Sequence, residues 1–352
     1  MRVGLDPLQA QIGQALRQAL ERSADPWPAL VELDVLGFCV PAWAGGLNLG
    51  QRAAVLAAEE LGRRLAAGPA LDTMLAADAL VLAGPAAGPW PRLEAVAAGR
   101  LRCAAAGLAA PLAGAGPSAL TASQGGWTLS ARGLVAVLPH EADELLLAAD
   151  GRVFLLPAAR AGWSSRPLET AVPRGLAAVA FSSLRLAPAD ELEVPLPDLV
   201  GRGRLRQAAY LLGVAGAAHE AAVGHAGRRR QFGQRLLDFQ AIGMRLAALA
   251  GRLAALRLLV QRAAWLADTG APLAGPAAEC LAMAAELALD AARDGIQVHG
   301  AAGTTHASPA QRCYLVAAVE AARWGRPAAL WREAGRARLA AAAPAPEPVA
   351  SR

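Results

Sequence analysis

Lysine is absent from the 352 residues, so all 34 basic side chains are arginine. They are scattered along the chain and nearly balanced by 29 acidic residues, which removes net charge as an argument for nucleic-acid binding. Aromatics are only 4% of the chain. The arginine-rich stretches therefore lack the interleaved rings on which single-stranded nucleic acids stack. The four cysteines (Cys39, Cys103, Cys280, Cys313) lie far apart with no Cys-x-x-Cys pair. They read as buried or incidental thiols of a reducing compartment, not as a disulfide framework. The five histidines (140, 219, 225, 299, 306) show no ligand spacing with carboxylates or cysteines, so no metal site is expected. The N-terminal "MRVGLDPLQAQIGQALRQALERS" is amphipathic and broken by charge, unlike a signal peptide. No apolar run reaches the roughly 18–20 residues a membrane span requires. The expectation is a soluble, cytoplasmic protein that binds neither nucleic acid nor membrane.

What the chain has in abundance is alanine and leucine, the strongest helix formers. Residues 1–100 read as an N-terminal helical domain. "DPLQAQIGQALRQALERS" carries apolar positions at helical spacing behind an Asp6-Pro7 start, and "VLAAEELGRRLA" follows a loop broken by Pro41 and Gly45-Gly46. Residues 84–91, "GPAAGPWP", read as a connection. Residues 101–200 change character. "GGWTLSARGLVAVL", "ADELLLAADGRVFLLPA" and "GLAAVAFSSLRLAP" are short apolar runs punctuated by Gly, Pro and Asp, with "AADGRV" as a hairpin turn. They predict a β domain of six or seven strands. Residues 201–340 return to helical pattern in segments too long to stand outside a bundle, the fourth being "PAQRCYLVAAVEAARWG". Residues 341–352, "AAAPAPEPVASR", read as a disordered tail.

Within this frame "GRRRQFGQRLLDFQ", 227–240, has three readings: a solvated helix end, a nucleic-acid patch, or a site for a phosphate-bearing cofactor. Other motifs bear on the choice. "ALVELDVLGFCVPAWAGGLNLG" and "VLAAEELGRRLAAGPAL" precede "GGWTLSARGLVAVLPHEADELLLAA", then "RRQFGQRLLDFQAIGMRLAALA" and "GIQVHGAAGTTHASPAQRCYL". In this order, and over nearly the whole chain, they resemble the acyl-CoA dehydrogenase family. The resemblance implies an α+β multidomain fold: an N-terminal helical domain, a middle antiparallel β-barrel-like domain and a C-terminal four-helix bundle. It also implies FAD held by the bundle and the β domain, usually across a subunit interface. The activity it implies is α,β-dehydrogenation of an acyl thioester, the flavin taking a hydride from the β-carbon while a carboxylate takes the α-proton.

Carried over by position, Arg229 matches the family's phosphate-binding arginine, with Gln231, Phe232 and Gln240 beside it. A guanidinium offers bidentate donors and fixed charge to a pyrophosphate. Arg228 and Arg230 fit a solvated helix end better. Gln297, Gly300 and Ala301 match a second cofactor segment, in which Ala301 replaces the second of two glycines; its methyl stands where close backbone approach is expected. His299 reads as a packing or capping residue. Thr121 and Ser123 fall where the family usually places hydroxyls near the flavin ring, but their surroundings read as an Ala/Gly loop.

The family's usual base position, a Glu before Gly, falls on Trp324, and the alternative position falls at or near Gly203. The arginine and aspartate of the preceding family segment become Leu315 and Val316. Glu320, one turn before Trp324, is the remaining acid, and a surface carboxylate paired with an arginine is its competing reading. Three functions follow. The chain is a dehydrogenase subunit whose base comes from a related partner in a hetero-oligomer, a homo-oligomeric enzyme using Glu320, or a scaffold that has lost FAD or the base. The implied partners are an acyl-CoA or acyl-carrier thioester and an acceptor resembling electron-transfer flavoprotein.

Overall fold

The structure is a computed structural model that describes residues 7–22, 25–84, 90–108 and 118–342. The connection at 84–91 falls largely outside these residues, and the tail does so from 343 onward. The N-terminal region is helical: α1 (Pro7–Arg22), α2 (Trp27–Glu32), α3 (Gly50–Arg63), α4 (Ala70–Ala83) and α5 (Trp90–Ala97). Eight strands follow: β1 (Cys103–Ala106), β2 (Ala119–Ser123), β3 (Gly126–Val137), β4 (Glu144–Ala149), β5 (Arg152–Pro157), β6 (Trp163–Pro167), β7 (Leu176–Leu186) and β8 (Glu191–Leu192). They form two four-stranded sheets, ordered β1-β4-β5-β8 and β2-β3-β7-β6. Every pairing is antiparallel except β1 with β4.

Strand β4 shows why the layers stack. Leu145, Leu147 and Ala149 enter the core between the two sheets, while Leu146 and Ala148 enter the helical core. Both faces are covered, so the strand reads as a continuous apolar run instead of alternating. The β4–β5 turn places Asp150 at φ 47° and Gly151 at φ 79°, the two left-handed positions of the tight hairpin expected at "AADGRV". Four strands exceed or escape the sequence reading. In β1, "CAAA" has no β-branched residue, and its position comes from α4. Thr73 Oγ1 accepts from the Cys103 N–H at 3.0 Å and Asp72 Oδ2 from the Ala105 N–H at 3.2 Å. Thr121 and Ser123 lie in β2, an outer strand, not in a loop, and Thr121 Oγ1 donates to the Thr128 carbonyl across the hairpin.

The C-terminal region holds α6 (Leu196–Arg228), α7 (Gln240–Asp268), α8 (Ala274–His299), α9 (Pro309–Glu320) and α10 (Pro327–Ala342). The helix expected over "PAQRCYLVAAVEAARWG" stops at Glu320, and α10 is a separate helix beyond Pro327. Between α6 and α7 the chain makes a two-residue-loop hairpin, β9 (Arg230–Gln231) with β10 (Gln234–Arg235). No helix among the described residues is long and apolar enough to cross a membrane.

Helix α6 joins the N-terminal region to the bundle through two close backbone crossings with α3. A Cβ on Gly62 would lie 1.8 Å from the Tyr210 carbonyl oxygen, and one on Gly213 1.9 Å from that of Glu59. Backbone cannot yield there as a side-chain tip can. Gly62→Ala or Gly213→Ala forces the helices apart and is expected to cost at least about 1–3 kcal/mol, read as a lowered urea midpoint. Gly227→Ala, where a Cβ meets nothing within 4 Å, serves as the control and leaves the midpoint nearly unchanged.

Candidate functional site

Helix α6 ends at Arg228, and Arg229 turns the chain into extended conformation (φ −73°, ψ 130°). Its backbone is fixed on both sides: its N–H donates to the His225 carbonyl at 2.8 Å, and its carbonyl accepts from the Leu236 N–H at 2.9 Å. The hairpin tip is Phe232-Gly233, with φ 51° and 82°. A left-handed phenylalanine is strained backbone, and strain of this kind concentrates at functional positions.

Facing this hairpin are the end of α8 and the 3-10 turn Gly300–Thr304. Between them lies a groove of about 720 Å³, closed by the first turns of α7. Arg229, Gln231, Gln297, Gly300 and Ala301, which come from two segments distant in sequence, all line it. Phe232 and Gln240 do not. Phe232 is 93% exposed at the hairpin tip, and Gln240 is an exposed residue starting α7. Gly300 has φ 60°, which its lack of a Cβ permits, and the Ala301 methyl is exposed instead of wedged.

The groove is electropositive. The Arg229 guanidinium makes no hydrogen bond or ion pair among the described residues. Arg245 is paired with Asp294, which raises the arginine's pKa through that hydrogen bond. His225 and His299 stack at 4.2 Å between ring centroids. Sequence reasoning left His225, Arg245 and Asp294 aside, although His225 sits four residues before Arg229, and that spacing puts both on one helix face.

The two base positions meet in space. Trp324 is buried, and its indole lies against Gly203 so closely that a Cβ there would be 2.4 Å from Cη2. Glu320 is not a surface residue as its competing reading held; it is 3% exposed. Its Oε1 accepts from Arg174 Nε at 2.8 Å and its Oε2 from Gln207 Nε2 at 2.9 Å. Arg323 stands 3.7 Å from Oε2 and also pairs with Asp72 at 2.7 Å. Burial pushes the Glu320 carboxyl up, but Arg323, Arg174 and Gln207 together hold it below the usual carboxylate range. Arg174 donates further to the carbonyls of Leu65 and Ala66, at 2.9 and 2.8 Å, satisfying the chain just past α3. Arg174, Glu320 and Arg323 themselves line a partly open cavity of about 180 Å³, together with Val137, Leu138 and Tyr210. Nothing in the pattern of "ETAVPRG" marks Arg174 as an interior residue.

Two family models cover most of the chain. Residues 6–99 match the acyl-CoA dehydrogenase N-terminal domain and residues 198–340 the acyl-CoA dehydrogenase C-terminal domain. The chain belongs to the acyl-CoA dehydrogenase family. Among curated acyl-CoA dehydrogenases, the probable acyl-CoA dehydrogenase YngJ of Bacillus subtilis is 41% identical over 101 residues, 29% of this chain and 27% of YngJ. The aligned stretch thus spans well under two thirds of that relative's length. In overall fold the chain is similar to butyryl-CoA dehydrogenase of Megasphaera elsdenii (TM-score 0.85, 21% identity, 96% and 100% of the two chains covered). It is equally similar to a chain of the ChsE4–ChsE5 complex of Mycobacterium tuberculosis (TM-score 0.85, 24% identity, 98% and 100% covered).

The Glu320 network has a consequence for acid stability. Its folded-state pKa is depressed, so the stabilisation is present above the unfolded value of about 4.3 and is lost as pH falls through the lower folded value. Glu320→Gln leaves Arg174 and Arg323 short of a buried counter-charge and is expected to destabilise by on the order of 3 kcal/mol at pH 7. In urea unfolding the gap to wild type shrinks below pH 4.5; a gap constant with pH contradicts the charged assignment.

Proposed function

We propose that this chain is a subunit of an FAD-dependent acyl-CoA dehydrogenase that contributes part of the FAD site while a related partner chain supplies the catalytic base. The observation that carries the reading is the groove, where an unpaired Arg229 guanidinium faces the amides of Gln231 and Gln297 across an open backbone at Gly300. This donor set suits a dinucleotide pyrophosphate: fixed positive charge, neutral donors and room for close backbone approach. The exposed Ala301 methyl leaves that approach open. The outward Phe232 ring and Gln240 side chain suit a cofactor shared with a neighbouring subunit.

When bound, FAD supplies the hydride acceptor for the β-carbon of the thioester. This chain's own residues then divide as follows. Arg229, Gln231 and Gln297 hold and orient the phosphates. Trp324 against Gly203 fills the place from which a carboxylate would take the α-proton, and an indole accepts no proton. Glu320 is engaged on both oxygens and held ionised by arginines, which suits a structural anion better than a base poised near neutral pH. The substrate is an acyl-CoA or acyl-carrier thioester, and the electrons leave to an acceptor resembling electron-transfer flavoprotein. The name ChsE4–ChsE5 denotes a complex of two differently named chains, which supports assembly with an unlike subunit. The second reading, a scaffold without turnover, is favoured by the same filled base position.

Co-purification with a neighbouring homologue separates the two. The working subunit gives a flavin absorbance spectrum and dye reduction with some acyl thioester; a pair without flavin supports the scaffold. Arg229→Ala is expected to weaken FAD binding by roughly 10- to 100-fold, the loss of a charged hydrogen-bonding partner, read by equilibrium dialysis. Glu320→Gln, in whatever fraction assembles, is expected to keep turnover per flavin within a few-fold. A drop of about 100-fold or more identifies Glu320 as the base after all.

A further inference from the structure

The groove contains a second basic element that no motif accounts for. His225 on α6 and His299 at the end of α8 stack at 4.2 Å, with ring planes 30° apart, and both line the groove beside Arg229. The His299 Nδ1 lies 2.7 Å from the Gly295 carbonyl, so Nδ1 carries the hydrogen and Nε2 is left for another partner. His225 makes only the ring contact among the described residues.

The charged groups around His225 come from every wall. Its own helix end contributes Arg228 and Arg229, α8 contributes His299 and Asp294, and the start of α7 contributes Arg245. Asp294 is neutralised by its pair with Arg245, so it does not serve the imidazoles as counter-ion. The hairpin adds only the neutral Gln231 to the lining. Burial, then His299, Arg228 and Arg229, lower the His225 pKa from its ordinary value. Near neutral pH an uncharged His225 therefore stands beside the unpaired Arg229.

We propose that the His225–His299 pair is a proton-charged part of the phosphate subsite, taking up one proton as the diphosphate of the dinucleotide enters the groove. The inference rests on the reading of this groove as an FAD site. A bound diphosphate supplies the negative charge that the surroundings lack and reverses the electrostatic cost of an imidazolium. Two rings at this separation share one proton between them more readily than they carry two. The proton comes from solvent, and no bond in the ligand is made or broken.

The sign follows from linkage. In the window between the lowered pKa of free His225 and the value raised by the bound diphosphate, binding consumes a proton. Affinity then rises as pH falls, by up to about tenfold per pH unit for one proton, and levels off once the free pair is itself protonated. FAD is a suitable probe because its diphosphate is a diester without a phosphate ionisation in this range.

The test is FAD binding to the chain co-purified with its neighbouring homologue, by titration calorimetry between pH 5.5 and 8 at constant ionic strength. Buffers of different ionisation enthalpy count the protons. The expected result is an uptake near one proton and a several-fold tighter Kd at pH 6 than at pH 8. The His225→Gln/His299→Gln double variant is expected to lose the tightening between pH 8 and pH 6, whatever its affinity at pH 8. Saturable wild-type binding with no proton uptake and a flat pH profile overturns the proposal and leaves the FAD site standing. An unchanged pH slope in the double variant also overturns it. Absence of FAD binding to the wild-type pair at every pH overturns both. The buffer comparison on wild type needs no variant, so a misfolded double variant does not remove the test.

Discussion

The constraint on which the molecule turns is a buried charge network at the meeting of its three regions. Arg174, from the stretch between β6 and β7, reaches the end of α3 and Glu320 at the end of α9. Glu320 is in turn linked to Gln207 on α6, and Arg323 ties the same corner to Asp72 on α4. Charges withdrawn from water are tolerated only when each finds several partners. Here two carboxylates and two guanidiniums cannot be satisfied unless sheet, N-terminal helices and bundle are all in place. The network therefore makes the relative position of the regions a condition of its own solvation.

The same network defines the chemistry left to the chain. A carboxylate surrounded by arginines and an amide is held ionised and immobile. The indole of Trp324 packs on Gly203, where a side chain of any size would collide. The acid that does border the cavity there, Glu320, has both oxygens engaged by Arg174 and Gln207. On the proposed reading the ligand is held at the far end of α6, where Arg229 lines an open groove with no ion-pair partner among the described residues. One end of that helix is spent on cohesion and the other is available to a ligand.

Much of this order was legible in the residues. The three long bundle segments, the change to short strands near residue 101 and the "AADGRV" hairpin follow from periodicity and turn chemistry, which are local. The pairing of Arg229 with Gln297, Gly300 and Ala301 was legible through motif order, and the groove brings them to one wall-to-wall opening. Four features were not. β1 is a strand because α4 satisfies its backbone, although "CAAA" has no β preference. Glu320 looked like an ordinary helix carboxylate, and partners distant in sequence, Arg174 at 146 positions and Gln207 at 113, hold it in the interior. His225 and His299 are unremarkable singly and become a pair only because α6 and α8 converge. Phe232 and Gln240 share the motif with Arg229 yet point away from the groove.

By itself the sequence determined the element types and their order, and the presence of an arginine suited to phosphate. These depend on side-chain identity and on spacings of a few residues, and short-range sterics and hydrogen bonding decide them. Tertiary structure alone decided that Trp324 meets Gly203, that Glu320 is buried and ionised, and that two imidazoles flank Arg229. Burial, dielectric and charge proximity are properties of neighbours distant in the chain, and no local pattern encodes them.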